Sequence, residues 1–210
     1  ITLGAYRYGQ LIQVSRELVT DAGFDIEAHL ATAFGNSLGF AANNDLTVGD
    51  GSSKPLGFIS AASTGVTGTA TDGVFTADEA IELQYTLDPM ARMLPGVKYM
   101  ANGSTIGKLR TLKDDAGNYL YQVNVGQADS FAGYEVVENP HMASTGTAGE
   151  LALAFGHIPS YKVRMAGGLD VASSEDYAFN ANLVTYRALM RLDGDLTHAS
   201  HIKLFASVTS

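Results

Sequence analysis

The fold depends on one stretch of sequence, Asp25-Ile-Glu-Ala-His-Leu-Ala-Thr-Ala-Phe-Gly-Asn-Ser-Leu-Gly-Phe-Ala-Ala-Asn43. Its apolar residues recur at steps of three and four, which predicts a long helix whose buried stripe consists of Ile26, Leu30, Phe34, Leu38 and Ala41. Gly35 and Gly39 each weaken such a helix by roughly 1 kcal/mol relative to alanine. We therefore expect the helix to pack closely against a neighbouring element.

Shorter elements surround this helix. A strand over residues 10–14 leads to a short helix over residues 15–19, for which Ser15 is the expected N-cap. The capping box Thr76-x-x-Glu79 opens another helix, which stops before Pro89 because the residue before proline disfavours the α region. The other segments expected in this half are a turn-rich connector at 47–71 and a helix at 104–113.

The second half of the chain is rich in predicted strands. Residues 183–192 alternate most clearly, with Val184, Tyr186, Ala188, Met190 and Leu192 on one face. Asp193-Gly194 predicts a turn directly after this strand. Further strands are expected at 98–101, 119–125, 134–138, 151–155, 161–165 and 202–208. Because helices precede strands along the chain, the expected class is α+β.

The composition favours extensive contact with other proteins. Hydrophobic residues make up 46% of the 210 residues, enough for a core in one large domain or two small, interleaved ones. Charged residues make up only 17%, and small residues, among them 23 glycines, cover the remaining surface. With a net charge of −9, the chain lacks the cluster of basic residues that is typical of a nucleic-acid binder. The lack of cysteine excludes disulfides and thiolate metal sites.

No pattern in the sequence predicts catalysis, a metal site or a cofactor. Gly35-Asn-Ser37-Leu-Gly39 matches G-x-S-x-G, but it lies inside a predicted helix instead of the strand-to-helix turn that a hydrolase needs. His198 and His201 fall in or near a predicted strand, where they would point to opposite faces and not chelate one ion. No apolar run approaches the roughly 18–20 residues that span a bilayer.

Five segments, in chain order, resemble the major capsid proteins of tailed bacteriophages, which have the Hong Kong 97-type fold. They are Leu11-Ile-Gln-Val-Ser-Arg-Glu-Leu, Val48-Gly-Asp-Gly-Ser-Ser-Lys-Pro-Leu-Gly, Leu112-Lys-Asp-Asp-Ala-Gly-Asn-Tyr, Gly133-Tyr-Glu-Val-Val and Arg187-Ala-Leu-Met-Arg-Leu-Asp-Gly. The fourth segment departs from the family pattern, because Glu135 replaces a proline. The segments are spread over nearly the whole chain, from Leu11 to Gly194.

The resemblance implies a peripheral domain with a long spine helix and β-strands, at 1–70 and 150–195. It implies an axial domain around a central sheet, at 71–149 and 196–210. The implied function is that of a major capsid protein, not an enzyme, whose hexamers and pentamers form an icosahedral shell around double-stranded DNA without binding it specifically. Decoration, portal and scaffold proteins are the implied partners, and the location is the virion after assembly in the bacterial cytoplasm, with no membrane contact.

The resemblance also implies interface residues. Residues 167–177 would lie where three capsomers meet, and the candidate contacts there pair Asp170, Glu175 and Asp176 with Arg7, Arg16 and Arg164. A loop near the capsomer axis would contain Gly117, Asn118, Gly126 and Gln127. The best-known member crosslinks its subunits by a Lys–Asn isopeptide bond that a glutamate assists. Asn182 matches the asparagine, but Leu189 stands at the glutamate position, so we expect no crosslink and a structural role for Asn182.

Family members carry an N-terminal arm and an extended loop before the point where this sequence starts at Ile1. The sequence therefore corresponds to a shorter variant, a processed chain or the ordered part of a longer one. Two other functions stay open. An encapsulin-like shell protein shares the fold and encloses cellular cargo, whereas a serine hydrolase would use Ser37.

Overall fold

The computed structural model describes residues 1–69, 75–113, 116–119, 121, 129–144 and 149–207. Its helices are α1 (Arg16–Asp21), α2 (Ile26–Val48), α3 (Phe58–Ala61), α4 (Ala77–Thr86), α5 (Pro89–Arg92) and α6 (Gly103–Thr111). Its strands are β1 (Tyr6–Ser15), β2 (Ser63–Thr67), β3 (Val97–Ala101), β4 (Ser130–Phe131), β5 (Tyr134–Glu138), β6 (Leu151–His157), β7 (Tyr161–Met165), β8 (Asp170–Ala178), β9 (Leu183–Leu196) and β10 (Ile202–Ala206). Helices make up 35% of the structure and strands 38%, which confirms the α+β class. No helix in these ranges is long and apolar enough to span a membrane.

The chain folds into two compact units. The helix unit comprises Thr2–Leu56 and Val163–Asp195, and the sheet unit comprises Gly57–Lys162 and Leu196–Ser210 together with Ile1. The domains expected from the sequence placed residues 57–69 and 150–162 with the long helix. In the structure they belong to the sheet unit, because β2 pairs with β10 and β6 pairs with both β3 and β10.

In the helix unit, α2 packs on one face of a sheet. The strand order is β1-β9-β7, and β8 also pairs with β9. The core between helix and sheet is formed by Ile26, Leu30, Phe34, Leu38, Ala42, Val184, Tyr186, Ala188, Met190 and Leu192. Alternate residues of β9 thus face the apolar stripe of α2, as the two periodicities predicted.

The helix α2 differs from its prediction at its C-terminal end. It continues to Val48 instead of ending at Asn43, and Ala42, not Ala41, is the buried alanine of the stripe. The buried positions advance by four residues at every step, whereas the prediction allowed a last step of three. Thr47 is buried in the final turn, and its hydroxyl donates to the Asn43 carbonyl at 2.7 Å, which supports the extra turn.

The predicted N-caps are confirmed. The Ser15 hydroxyl accepts a hydrogen bond from the Leu18 amide at 3.2 Å at the start of α1. Thr76 and Glu79 form the capping box at the start of α4. Pro89 does more than end a helix, since it occupies the first turn of α5, where its missing amide hydrogen is not needed.

The predicted turn at Asp193-Gly194 is wrong. Strand β9 continues through both residues to Leu196, and Asp193 is buried. The two carboxylate oxygens of Asp193 accept hydrogen bonds from the amides of Gly194 and Gly4. The side chain that would close a turn in solution therefore binds the extended chain and the segment before β1.

The sheet unit is built on a six-stranded sheet with the order β2-β10-β6-β3-β5-β4. Its core contains a cluster of fully buried aromatic rings, and Tyr99 packs 4.7 Å from Phe155 and 5.7 Å from Phe131, measured between ring centroids. The Tyr99 hydroxyl donates to the Ala80 carbonyl at 2.6 Å and so ties α4 to the sheet. Burial also raises the pKa of Tyr99, so this hydroxyl stays a donor.

Several elements were absent from the prediction. The connector at 47–71 contains α3, which is only four residues long, and β2, whose five residues include Ser, Gly and two Thr. Residues 170–178, for which no element was predicted, form strand β8. Most of the strand expected at 119–125 lies outside the described residues.

Candidate assembly surface

An open cavity of about 450 Å³ lies on the helix unit, on the sheet face opposite α2. We call it the arginine pocket, and the residues that define it are Arg7, Gly167, Gly168, Asp170, Leu189 and Arg191. Arg7 on β1 and Arg191 on β9 are directly opposite each other in the strand register. Both are exposed, and neither forms an ion pair with any residue that the structure describes.

The floor of the arginine pocket is apolar. Leu189 lies over the backbone of β1, because Gly9 has no side chain, and a Cβ there would be 2.9 Å from Leu189 Cδ2. At the rim, Gly167 adopts a φ of +84°, and a Cβ on Gly168 would meet nothing within 4 Å. The cavity therefore has a hydrophobic base, two guanidinium groups and an unobstructed mouth.

Arg16 and Glu175 form a second polar contact in the helix unit. Arg16 Nη2 lies 2.8 Å from Glu175 Oε2, with both side chains more than half exposed. Such an exposed pair contributes only about 0–1 kcal/mol to stability. The family resemblance implied that arginines and acidic residues pair between subunits, whereas this pair forms within one chain.

Asn182 lies beside this pair and has a backbone role. It adopts the left-handed conformation, with φ of 56°, and ends a short 3-10 turn, Phe179–Ala181. Its carbonyl accepts a hydrogen bond from the Arg16 amide at 3.1 Å. Asparagine tolerates this conformation better than most residues do, which gives a structural reason for its presence.

The remaining candidate interface residues lie apart from one another. Arg164 donates to the carbonyls of Leu3 and Gly4 at 3.0 and 3.3 Å and so holds the segment before β1. Asp176 is exposed on β8. Of the predicted axis loop, Gly117 has a φ of +84° in a turn and Asn118 follows it, whereas Gly126 and Gln127 lie outside the described residues.

Ser37 does not have the geometry of a nucleophile elbow. It lies exposed in the middle of α2, ten residues or more from either end of the helix. The elbow instead needs a tight turn between a strand and a helix. The structure therefore gives the G-x-S-x-G pattern no catalytic geometry.

Two histidines of the sheet unit contact one serine, and a third histidine packs beside them. Ser160 Oγ lies 2.7 Å from His157 Nδ1 and 2.8 Å from His201 Nδ1. The expectation that His198 and His201 point to opposite faces is wrong, because a 3-10 turn, Ala199–His201, brings their ring centroids to 4.6 Å. Burial and the neighbouring His198 and His157 lower the pKa of His201. Among the described residues no group of His, Cys, Asp or Glu fits a metal ion.

Sequence reasoning missed both Arg191 as the partner of Arg7 and the contact of His157 and Ser160 with His201. The alternation of β9 placed Arg191 on the face away from the core, but its position opposite Arg7 depends on a strand register across 184 residues (191 minus 7). The contact of Ser160 with His201 joins residues 41 apart, and no local pattern indicates it.

Comparison with known proteins gives a consistent result. The profile of the Phage capsid family matches residues 1–206. The capsid of an empty GTA particle is 26% identical, with a TM-score of 0.87 over 100% of this chain and 75% of that chain. The capsid of the native GTA particle is also 26% identical, with a TM-score of 0.85 over 100% of this chain and 74% of the other. No curated protein matches the sequence.

More distant structures share the fold. The Gordonia phage Cozz structure is 15% identical, with a TM-score of 0.73 over 99% of this chain and 71% of that chain. The fold is therefore the Hong Kong 97-type capsid fold that the five sequence segments indicated. The chain belongs to the phage capsid family and is a major capsid protein, whose copies form a shell.

Proposed function

We propose that this capsid protein assembles, through hexamers and pentamers, into a closed icosahedral shell that encloses double-stranded DNA without binding it specifically. The observation that carries the proposal is the match of the entire chain to the capsid of a GTA particle. The net charge of −9 supports the second part, since a DNA binder neutralises phosphates with clustered lysines and arginines. The protein has no catalytic role, and it assembles in the bacterial cytoplasm with scaffold, portal and decoration proteins.

The two units take the roles that the family resemblance gave them. The helix unit, which holds α2, is the peripheral domain, and the sheet unit is the axial domain. The turn at Gly117 and Asn118 approaches the capsomer axis.

The candidate interface residues act where three capsomers meet. Asp170 and Asp176 of one subunit face arginines of its neighbours, and Arg7 binds a carboxylate of a neighbouring subunit. Arg16 and Glu175 keep the ion pair that they form within one chain. Arg164 contributes by fixing the segment before β1, whose carbonyls it binds. Single exposed ion pairs contribute about 0–1 kcal/mol, so their repetition by symmetry provides the stability of the shell.

We further propose that the shell is not covalently crosslinked. Leu189 offers no carboxylate to accept a proton, and it forms the apolar floor of the arginine pocket. The conformation of Asn182 accounts for this residue without any reaction.

The proposed function is tested on particles purified from the producing bacterium. Electron microscopy should show closed icosahedral shells, and nuclease treatment of intact particles should leave protected double-stranded DNA. A denaturing gel of these particles should give only the monomer band. Shells that hold cellular protein instead of DNA would favour the encapsulin-like alternative, and a protein that forms no shell would overturn the proposal.

A further inference from the structure

We propose that the arginine pocket binds an acidic corner of a second copy of this chain, in a head-to-tail contact that builds the shell. The acidic corner consists of Glu17 and Asp21, at the two ends of α1, and of Asp25 and Glu27, at the start of α2. The inference rests on the proposed function and adds to it the two surfaces that meet. Arg7 is one of the interface residues proposed above, and the inference gives it the acidic corner as its partner. Arg191, Leu189 and the acidic corner are added to the interface.

The arginine pocket carries a charge that the isolated chain does not balance. Residues directly opposite in an antiparallel pair have Cβ atoms about 4.5–5.5 Å apart, and like charges at this spacing destabilise the sheet. Arg7 and Arg191 form such a pair. Asp170 is the one carboxylate that lines the cavity, and it makes no ion pair with a described residue. An incoming carboxylate would relieve the repulsion and bind both guanidinium groups.

The acidic corner has the complementary properties. All four carboxylates are exposed, and none is ion-paired within the described part of the chain. The neighbouring Arg16 does not neutralise them, because Glu175 binds it. Leu18 and Phe24 lie among the four acids with 50% and 60% of their surface exposed, and they suit the apolar floor that Leu189 forms.

The two surfaces cannot meet within one subunit. Arg7 lies near one end of β1, and α1 follows its other end at Ser15. Eight steps of about 3.3 Å along a strand separate Arg7 from Ser15 by roughly 26 Å. Two different patches on one subunit make a heterologous contact, which forms a ring when the rotation between neighbouring subunits closes. A second copy is therefore the occupant that both the charge and the geometry favour.

The test is assembly of the full-length protein at low ionic strength, followed by light scattering and electron microscopy. Arg7→Glu/Arg191→Glu should raise the protein concentration needed for assembly at least about tenfold, because close charge pairs become repulsive. Glu17→Lys/Asp21→Lys should do the same. Combining all four substitutions should restore assembly to within about threefold of wild type, since each pair is reversed on both sides.

A steric variant and a charge control complete the test. Gly168→Leu fills the mouth of the pocket without changing charge, and it should also impair assembly, since a side chain fits there without strain. Lys108→Glu/Lys162→Glu changes the net charge by the same amount as Arg7→Glu/Arg191→Glu, at exposed positions of α6 and β7. This control variant should assemble like wild type. Thermal melting of each variant shows that it is folded.

The outcomes separate this inference from the proposed function. If the wild-type protein forms no shells, the proposed function fails. If it does, and the Arg7/Arg191 variant assembles equally well or the four-fold variant stays defective, the pairing of these two surfaces is wrong. Salt-dependent binding of duplex DNA that the Arg7/Arg191 variant loses would make the pocket a phosphate site and would also overturn the inference.

Discussion

Glu79 shows how one buried carboxylate fastens the start of α4. Its side chain is 7% exposed and accepts hydrogen bonds from the Thr76 amide at 2.8 Å and from the Thr69 amide and hydroxyl at 2.7 and 2.8 Å. Burial raises the pKa of Glu79, but these hydrogen bonds outweigh it, so the pKa lies below its ordinary value of 4.5. The ionised carboxylate thus holds the segment after β2 against the helix.

We expect Glu79→Gln to lower the free energy of unfolding by about 1–3 kcal/mol, because the amide leaves buried donors without their charged acceptor. A depressed pKa in the folded state stabilises the fold above pH 4.5, and this contribution disappears as the pH falls through the folded-state value. Urea unfolding at neutral and acidic pH measures both effects. Glu82→Gln, at an exposed position of the same helix, is the control. Equal stability of the two variants would contradict the prediction.

The left-handed conformation of Asn182 leads to a prediction about stability. Asn182→Gly should keep wild-type stability, because glycine adopts positive φ freely, whereas Asn182→Val should lose about 1–3 kcal/mol. Thermal unfolding of both variants provides the measurement. A stable valine variant would mean that the left-handed conformation at φ 56° does not matter.

At the scale of elements, the histidine cluster joins the end of β6 to the turn before β10. The single hydroxyl hydrogen of Ser160 can serve only one of its two imidazole neighbours, so the other ring must donate. Protonation would place positive charges on rings with centroids 4.6 and 6.2 Å apart. Asp88 is the acidic group that favours the charged form of His201, and its effect is the smallest of those that act on the ring.

The sheet unit should therefore become less stable below about pH 6.5, the ordinary pKa of histidine. The pKa of His201 is lowered in the folded state, so the unfolded chain binds the proton more readily and stability falls as the pH falls. His201→Gln should reduce the difference in melting temperature between pH 7.5 and pH 5.5. His29→Gln, on an exposed position of α2, should leave that difference unchanged. A pH dependence identical in wild type and His201→Gln would disprove the prediction.

The elements that the sequence predicted correctly have local causes. The stripe of α2 up to Leu38, the caps at Ser15 and Thr76, and the alternation of β9 depend on residues only two to four positions apart. The turn predicted at Asp193 failed for a different reason. Its carboxylate binds Gly4, which is 189 residues away, and no local rule contains that partner.

The features of the candidate surface also separate into those that depend on local sequence and those that depend on long-range contacts. Arginine and aspartate were identifiable as exposed charges, and the alternation of β9 gives the face on which Arg191 lies. The arginine pocket itself required the register that sets Arg7 opposite Arg191. Likewise, the separation of His198 and His201 was misjudged because the sequence does not reveal the 3-10 turn between them.

For the whole molecule, β10 is the strand on which the sheet unit depends, because it lies between β2 and β6. Phe205 on this strand is fully buried and packs 5.7 Å from Phe75. Phe205→Ala should cost about 3–5 kcal/mol of stability and reduce shell yield, as large-to-small core changes do. The matched control is Phe179→Ala, because that ring is 77% exposed. Calorimetry and particle yield measure the result, and similar values for the two variants would refute it.

The order in which the strands are synthesised determines when a subunit becomes able to assemble. Strand β1 can pair only after β9 has been synthesised, and β2 only after β10. Each sheet therefore forms only after most of the chain has left the ribosome. Contacts of such long range form slowly. The arginine pocket needs Arg191 as well as Arg7, so a nascent chain carries the acidic corner long before the pocket exists. With the contact proposed above, chains on polysomes could not yet polymerise through it, and shell growth would draw on released, finished chains.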